Sequence, residues 1–118
     1  MPRVVGIKFE HNLKMYFFEA RNLDLHYSQK CVVETVLGLE MGEVVKRPFI
    51  CENIKNNLKP VIRPAQDIDI LQLKSNREKE KIAFEIANQK IKEHQLSMKL
   101  LRAHYTLDRG RLTFYFGS

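Results

Sequence analysis

The stretch Val32-Val33-Glu34-Thr35-Val36-Leu37-Gly38-Leu39-Glu40-Met41-Gly42-Glu43-Val44-Val45 decides the fold. Val32 to Thr35 runs extended, Val36-Leu37-Gly38 turns the chain, and Leu39 to Val45 returns. Gly38 supplies the positive φ that a tight hairpin turn needs. Gly42 sits inside the return strand, where glycine marks a bulge or a sharp coil. Curled antiparallel hairpins of this kind build small barrels. The segment holds no nucleophile, base or metal-ligand set, so it reads as scaffold.

Outward from this hairpin, the pattern stays short-stranded. Val5, Ile7 and Phe9 alternate with Gly6 and Lys8, the signature of a half-buried strand. Glu10-His11-Asn12 turns, and Lys14 to Phe18 forms an aromatic second strand. Arg21 to Lys30 is polar, anchored by Leu23 and Leu25. These pieces predict a small antiparallel N-terminal β-barrel. Lys46 to Pro60, with Pro48, Asn53, Asn56, Asn57 and Pro60, reads as a linker. It divides the chain into residues 1–60, a barrel lobe with its linker, and residues 61–118, a lobe of strand, helix and hairpin. Val61-Ile62 adds a short strand that Pro64 keeps from continuing as a central one.

Ser75-Asn76-Arg77-Glu78 has the form of a capping box. A helix is expected behind it to about His94, with Ile82, Ala83, Ile86, Ala87 and Ile91 as its apolar stripe and Phe84 at the edge. Asp67 to Leu73 gives at most a short turn of helix ahead of it, and the Asp67/Asp69 pair reads as helix-terminus electrostatics rather than as an acid and a base. Lys92 and His94 suit the negative end of the helix dipole. A left-handed cap there would fall on Gln95, a poor residue for it.

The closing hairpin is fixed by parity. Leu101, Ala103, Tyr105 and Leu107 share one face of the first strand, and Leu112, Phe114 and Phe116 share one face of the second. Both sets reach the core if Leu107 pairs with Leu112, because a one-residue slip would expose one of them. The other face then carries Arg102, His104, Thr106, Arg111, Thr113 and Tyr115, with His104 opposite Tyr115. The fold class is α+β, a small barrel followed by a helix packed on a C-terminal β-hairpin.

With 118 residues, 44% of them hydrophobic, the chain suits one domain or two very small lobes. No apolar run reaches the roughly 20 residues a bilayer demands. Met1-Pro2-Arg3 opens straight into a strand without a secretory leader, which points to the cytoplasm. Cys31 and Cys51 form no CxxC pair and read as reduced thiols. The net charge is +6. Lys and Arg outnumber Asp and Glu by nine to seven in residues 1–60 and by eleven to seven in residues 61–118. That bias suits RNA, an acidic protein partner or simple solubility.

The four histidines, His11, His26, His94 and His104, share no metal-ligand spacing. No serine or threonine lies in a GxSxG context, and the glycines form no phosphate-cradling loop. An enzyme is therefore not expected. On the helix, Glu78, Glu80 and Glu85 dilute Lys74, Arg77, Lys81 and Lys92 into an ordinary solvated face. The hairpin is sharper: Arg102, His104, Arg111 and Tyr115 put positive charge and an aromatic ring on one sheet face, a combination that holds phosphate and stacks a base. The same face could equally be covered by a partner protein.

The blocks VVGIKF (Val4 to Phe9), KMYFF (Lys14 to Phe18), VETxxGxExGxVV (Val33 to Val45), VIRPAQDID (Val61 to Asp69), EHQLSMKL (Glu93 to Leu100) and FYF (Phe114 to Phe116) run in order along the chain. Together they resemble the bacterial YaaT/RicT family, whose domain is the polymerase-suppressor (PSP-type) C-terminal conserved region. The resemblance implies an accessory subunit of a cytoplasmic complex that steers RNA maturation and decay with a membrane-bound endoribonuclease. Its partners would be the protein subunits of that complex, with RNA as a further candidate and the membrane reached only through the ribonuclease. Links to sporulation, competence and biofilm programmes come with it. The family also carries an iron–sulfur cluster in a GPCGR-x-x-CC-like region. That motif is not found in this sequence, so no cofactor is expected here and the chain looks like the N-terminal part of a family member. Two functions follow: a nucleic-acid-contacting adaptor, or a pure protein scaffold.

Overall fold

The computed structural model describes residues 2–53 and 57–117. Among these described residues seven strands and one helix follow in the order β1 (Arg3–Phe9), β2 (Asn12–Glu19), β3 (Lys30–Thr35), β4 (Gly38–Ile50), β5 (Val61–Pro64), α1 (Asp67–Glu93), β6 (Lys99–Tyr105) and β7 (Leu112–Gly117). β1 to β5 form one antiparallel sheet in the order β2-β1-β4-β3-β5, and β6 and β7 form a separate hairpin. The α+β class stands.

The turn between β3 and β4 has the geometry its residues require. Thr35 pairs with Gly38, whose φ is +138°, and the Thr35 hydroxyl donates to the Gly38 carbonyl at 2.8 Å. Gly42 serves a purpose other than the expected bulge, since it pairs regularly with Cys31. A Cβ at Gly42 would lie 2.4 Å from the Ile7 Cγ2, so glycine is what lets β1 and β4 close up. The irregularity falls beside it instead. Ile7 faces Val44 while Gly6 faces Lys46, which leaves Val45 as the extra residue that bends β4.

These bends curl the sheet around Val5, Ile7, Phe18, Leu25, Cys31, Val33, Val44 and Val61. The sheet does not close into a barrel. An isolated bridge, Glu19 to Pro60, brings its two edges together at one end, and the Arg21 guanidinium donates to the Val61 and Ile62 carbonyls at 2.7 Å across the same seam. A short β5 carrying Pro64 is too brief to ladder along β2.

Lys46 to Ile50 belongs to β4 and is not linker, because Pro48 falls at an irregular point of the β1–β4 pairing, where no ladder hydrogen bond is lost. Asn56, part of the same linker reading, lies outside the described residues. Beyond them, β5 pairs with β3, so the sheet runs through the division at residue 60.

The helix is longer than the Ser75 capping box suggests. Asp69 does near Gln66 what Glu78 would have done at Ser75: one carboxylate oxygen accepts the Gln66 N–H at 2.9 Å and the other accepts Arg63 at 2.6 Å. Ser75 is thus interior to a helix of 27 residues. At the other end Gln95 takes φ +52°, with Gln95 N–H donating to the Lys92 carbonyl and Leu96 N–H to the Ile91 carbonyl. That is a Schellman close with glutamine in the glycine position.

The hairpin keeps its expected parity with a different register. Tyr105, not Leu107, pairs with Leu112, and His104 faces Thr113 while Arg102 faces Tyr115. Leu107 leaves the ladder because it is buried elsewhere, its N–H donating to the Leu39 carbonyl at 2.7 Å. A shift between Leu100 and Arg102 turns Leu100 inward and leaves Leu101 and Phe116 exposed, against the face assigned to both. Asn76 locks the hairpin loop to α1. Its Nδ2 donates to the Thr106 and Leu107 carbonyls, each at 3.1 Å.

Candidate functional site

Curling the sheet and docking the hairpin against α1 leaves an open groove of about 1040 Å³ between them. Phe9, Tyr16 and Phe18 line its sheet side, with ring centroids about 6 Å apart. Ile70, Leu73, Arg77 and Glu80 line the helix side, and Arg102, His104 and Tyr115 the hairpin side.

His104 sits at the meeting point of all three units. Its Nε2 lies 2.8 Å from the Glu40 carboxylate of β4, and its Nδ1 lies 3.6 Å from Glu80 of α1. Glu80 is itself fixed by the Tyr105 N–H at 2.8 Å. His11 approaches edge-on, with ring centroids 6.4 Å apart. Burial, together with the neighbouring positive charge of Arg102, holds the His11 pKa below its ordinary value. Across the groove Arg77 and Glu10 form a two-pronged ion pair. Lys30 and Glu43 pair at 2.9 Å, and that bond lowers the Glu43 pKa.

The four side chains singled out in sequence are only partly brought together. Arg102 and Tyr115 meet, the guanidinium lying 4.1 Å from the ring centroid in a cation–π stack. His104 shares their face but is occupied by carboxylates. Arg111 is exposed at the loop end, where its N–H donates to the Thr106 hydroxyl oxygen, and it does not line the groove. Glu40, Glu80 and Asn76 were missed in the sequence. Glu40 had a signal, since Gly38 fixes the turn two residues before it. Glu80 and Asn76 reveal themselves only once the helix is docked.

The groove offers recognition chemistry: an aromatic floor and a rim of paired charges. The Thr35 hydroxyl, which also lines it, is committed to the turn. The two cysteines do not fit an iron–sulfur cluster. Cys31 is buried in the sheet core, which pushes its thiol up to about 12, while Cys51 lies at the end of β4. Among the described residues no group of three or more His, Cys, Asp or Glu is placed to hold a metal ion. No helix among them is long and apolar enough to cross a membrane.

The PSP1 C-terminal conserved region matches residues 59–118. The chain is also 35% identical, over 118 aligned positions, to the "Stage 0 sporulation protein YaaT" of Bacillus subtilis (strain 168). That alignment takes in 98% of the chain and 43% of the relative, so the chain spans less than half of the relative's length. No solved structure matches it.

Proposed function

The chain belongs to the PSP1 C-terminal conserved region family, and on that premise we propose that it is a non-catalytic regulatory subunit serving a sporulation programme. It works by contact, as an adaptor of a cytoplasmic complex that steers RNA processing and decay. Protein subunits dock on it, RNA touches it at Arg102, Tyr115 and Arg111, and the membrane is reached only through a partner ribonuclease. Its relative's name supports the regulatory side of this reading.

One observation carries the rest. His104, at the meeting point of the three units, is held between Glu40 and Glu80, so both its ring nitrogens are directed at structural carboxylates. It ties β4, β6 and α1 together, and the groove beside it presents the stacked Arg102–Tyr115 pair. Arg102 and Arg111 would neutralise phosphates, while Tyr115 would offer its ring to a base.

The test is single-stranded RNA affinity at two salt concentrations, for the wild type and for an Arg102→Glu/Arg111→Glu variant. Binding that weakens with salt in the wild type, and is lost with a shallower slope in the variant, supports direct contact. Equal binding by both proteins, or none above a neutral control, removes it. The protein-scaffold reading has its own support in Glu10, Glu34, Glu40, Glu43 and Glu80, which line the groove and offset its lysines and arginines, leaving phosphate little net attraction.

A further inference from the structure

α1 buries one side and leaves the other bare. Asp69 and Asn76 are buried, and Ala83, Phe84, Ala87 and Ile91 are half-buried along one face. The opposite face carries Ile68, Leu71, Ile82 and Ile86, exposed at 69%, 64%, 58% and 56%. At 100° per residue these four fall within one narrow stripe. The molecule is drawn out around this helix, with a radius of gyration of 16.8 Å against about 13.5 Å for a compact domain of its length. Four exposed branched aliphatics in one line are not explained by ordinary surface composition.

The stripe is symmetric about the level of Arg77. Ile68 and Ile86 lie nine positions to either side of it, and Leu71 and Ile82 lie six before and five after. Ser75, Glu78 and Lys79 fill the middle. A surface shaped for an unrelated protein has no reason to read the same in both directions, whereas a two-fold self-contact requires it.

We propose that α1 is a self-association surface: two copies pair through antiparallel helices crossing at the level of Arg77. In that arrangement Ile68 of one copy meets Ile86 of the other, and Leu71 meets Ile82, so the whole stripe is covered over about 27 Å of helix. The same crossing sets Glu78 of each copy on the side where Lys74 of the other lies, a charge match made twice by symmetry. Both side chains are exposed and point from the flank of the stripe. A parallel pairing would instead set each residue against its own copy, Glu78 on Glu78.

Sedimentation equilibrium of the purified chain over a wide concentration range reads this directly. A reversible monomer–dimer equilibrium is expected. An Ile82→Glu/Ile86→Glu variant is expected to weaken dimerisation at least about tenfold while keeping the helix content of the parent and, at concentrations where both are monomeric, its urea midpoint. The crossing is read by cross-linking in a Cys51→Ser background. Chains carrying Ile68→Cys should form a disulfide with chains carrying Ile86→Cys, and neither should link to itself. The inference is overturned by a monomer at every concentration, which would leave the stripe to another occupant. A dimer indifferent to the glutamates, or Ile68→Cys linking to its own kind, would overturn it equally.

Discussion

Replacing Asn76 with alanine tests how the helix holds the hairpin. Asn76 is 1% exposed, and its amide donates to two loop carbonyls, those of the buried residues Thr106 and Leu107. The substitution removes two hydrogen bonds and leaves two acceptors facing a small cavity. A buried polar group left unpaired costs about 1–3 kcal/mol. Allowing partial access by water, the pair should cost about 2–4 kcal/mol. Urea unfolding reads this as a fall in midpoint of about 1–2 M, with the slope unchanged. Asn76→Asp should cost more than alanine, because carboxylate oxygens would then face carbonyl oxygens. Gln72→Ala is the control: its contact with Asn76 is long, at 3.4 Å, and its loss should cost about 0.5 kcal/mol or less. A loss below about 1 kcal/mol for Asn76→Ala would refute the idea that this amide anchors the loop.

Three further outcomes are expected. Gly42→Ala puts a methyl 2.4 Å from the Ile7 Cγ2 and should destabilise by about 1–3 kcal/mol in the same urea assay. Stability should fall as the pH drops through His11's ordinary value of 6.5. The folded state resists a proton there that the unfolded chain accepts, so unfolding takes up protons in that window. Urea midpoints at pH 7.5 and 5.5 should show this, and His11→Gln should flatten the difference. A thiol reagent at neutral pH should titrate Cys51 alone in the folded protein and Cys31 only in denaturant, since burial holds the Cys31 thiol near 12. Rapid reaction of both thiols in buffer would contradict the packing of β3.

Local chemistry was legible in the sequence, and long-range choices were not. Gly38 announced its turn because a positive φ is a property of one residue. Ser75 did not start the helix although its motif is correct, because Asp69 makes the same bonds earlier and also takes Arg63, a partner on β5 that the motif cannot reveal. In the hairpin, alternation placed Ala103, Tyr105, Leu112 and Phe114 on one face but misplaced Leu101 and Phe116, while the register followed Leu107, which left the ladder to bond Leu39 from a different sheet. His104 was recognised as a facing residue. Its neighbours Glu40 and Glu80 lie 64 and 24 positions away, and only docking brings them to it.

The seam at β5 bears on how this protein can be taken apart. The family-defining segment begins at residue 59, one position before the bridge that joins the sheet's two edges. Cut there, β5 would lose β3, Arg77 would lose Glu10, and His104 would lose Glu40. The segment by which relatives are recognised thus shares its strand pairing and its ion pairs with the strands before it. Its helix and hairpin are completed by the strands that precede them. Dissection, domain swapping between relatives, or expression of a minimal fragment would have to carry residues from Arg3 onward for the segment to keep its shape.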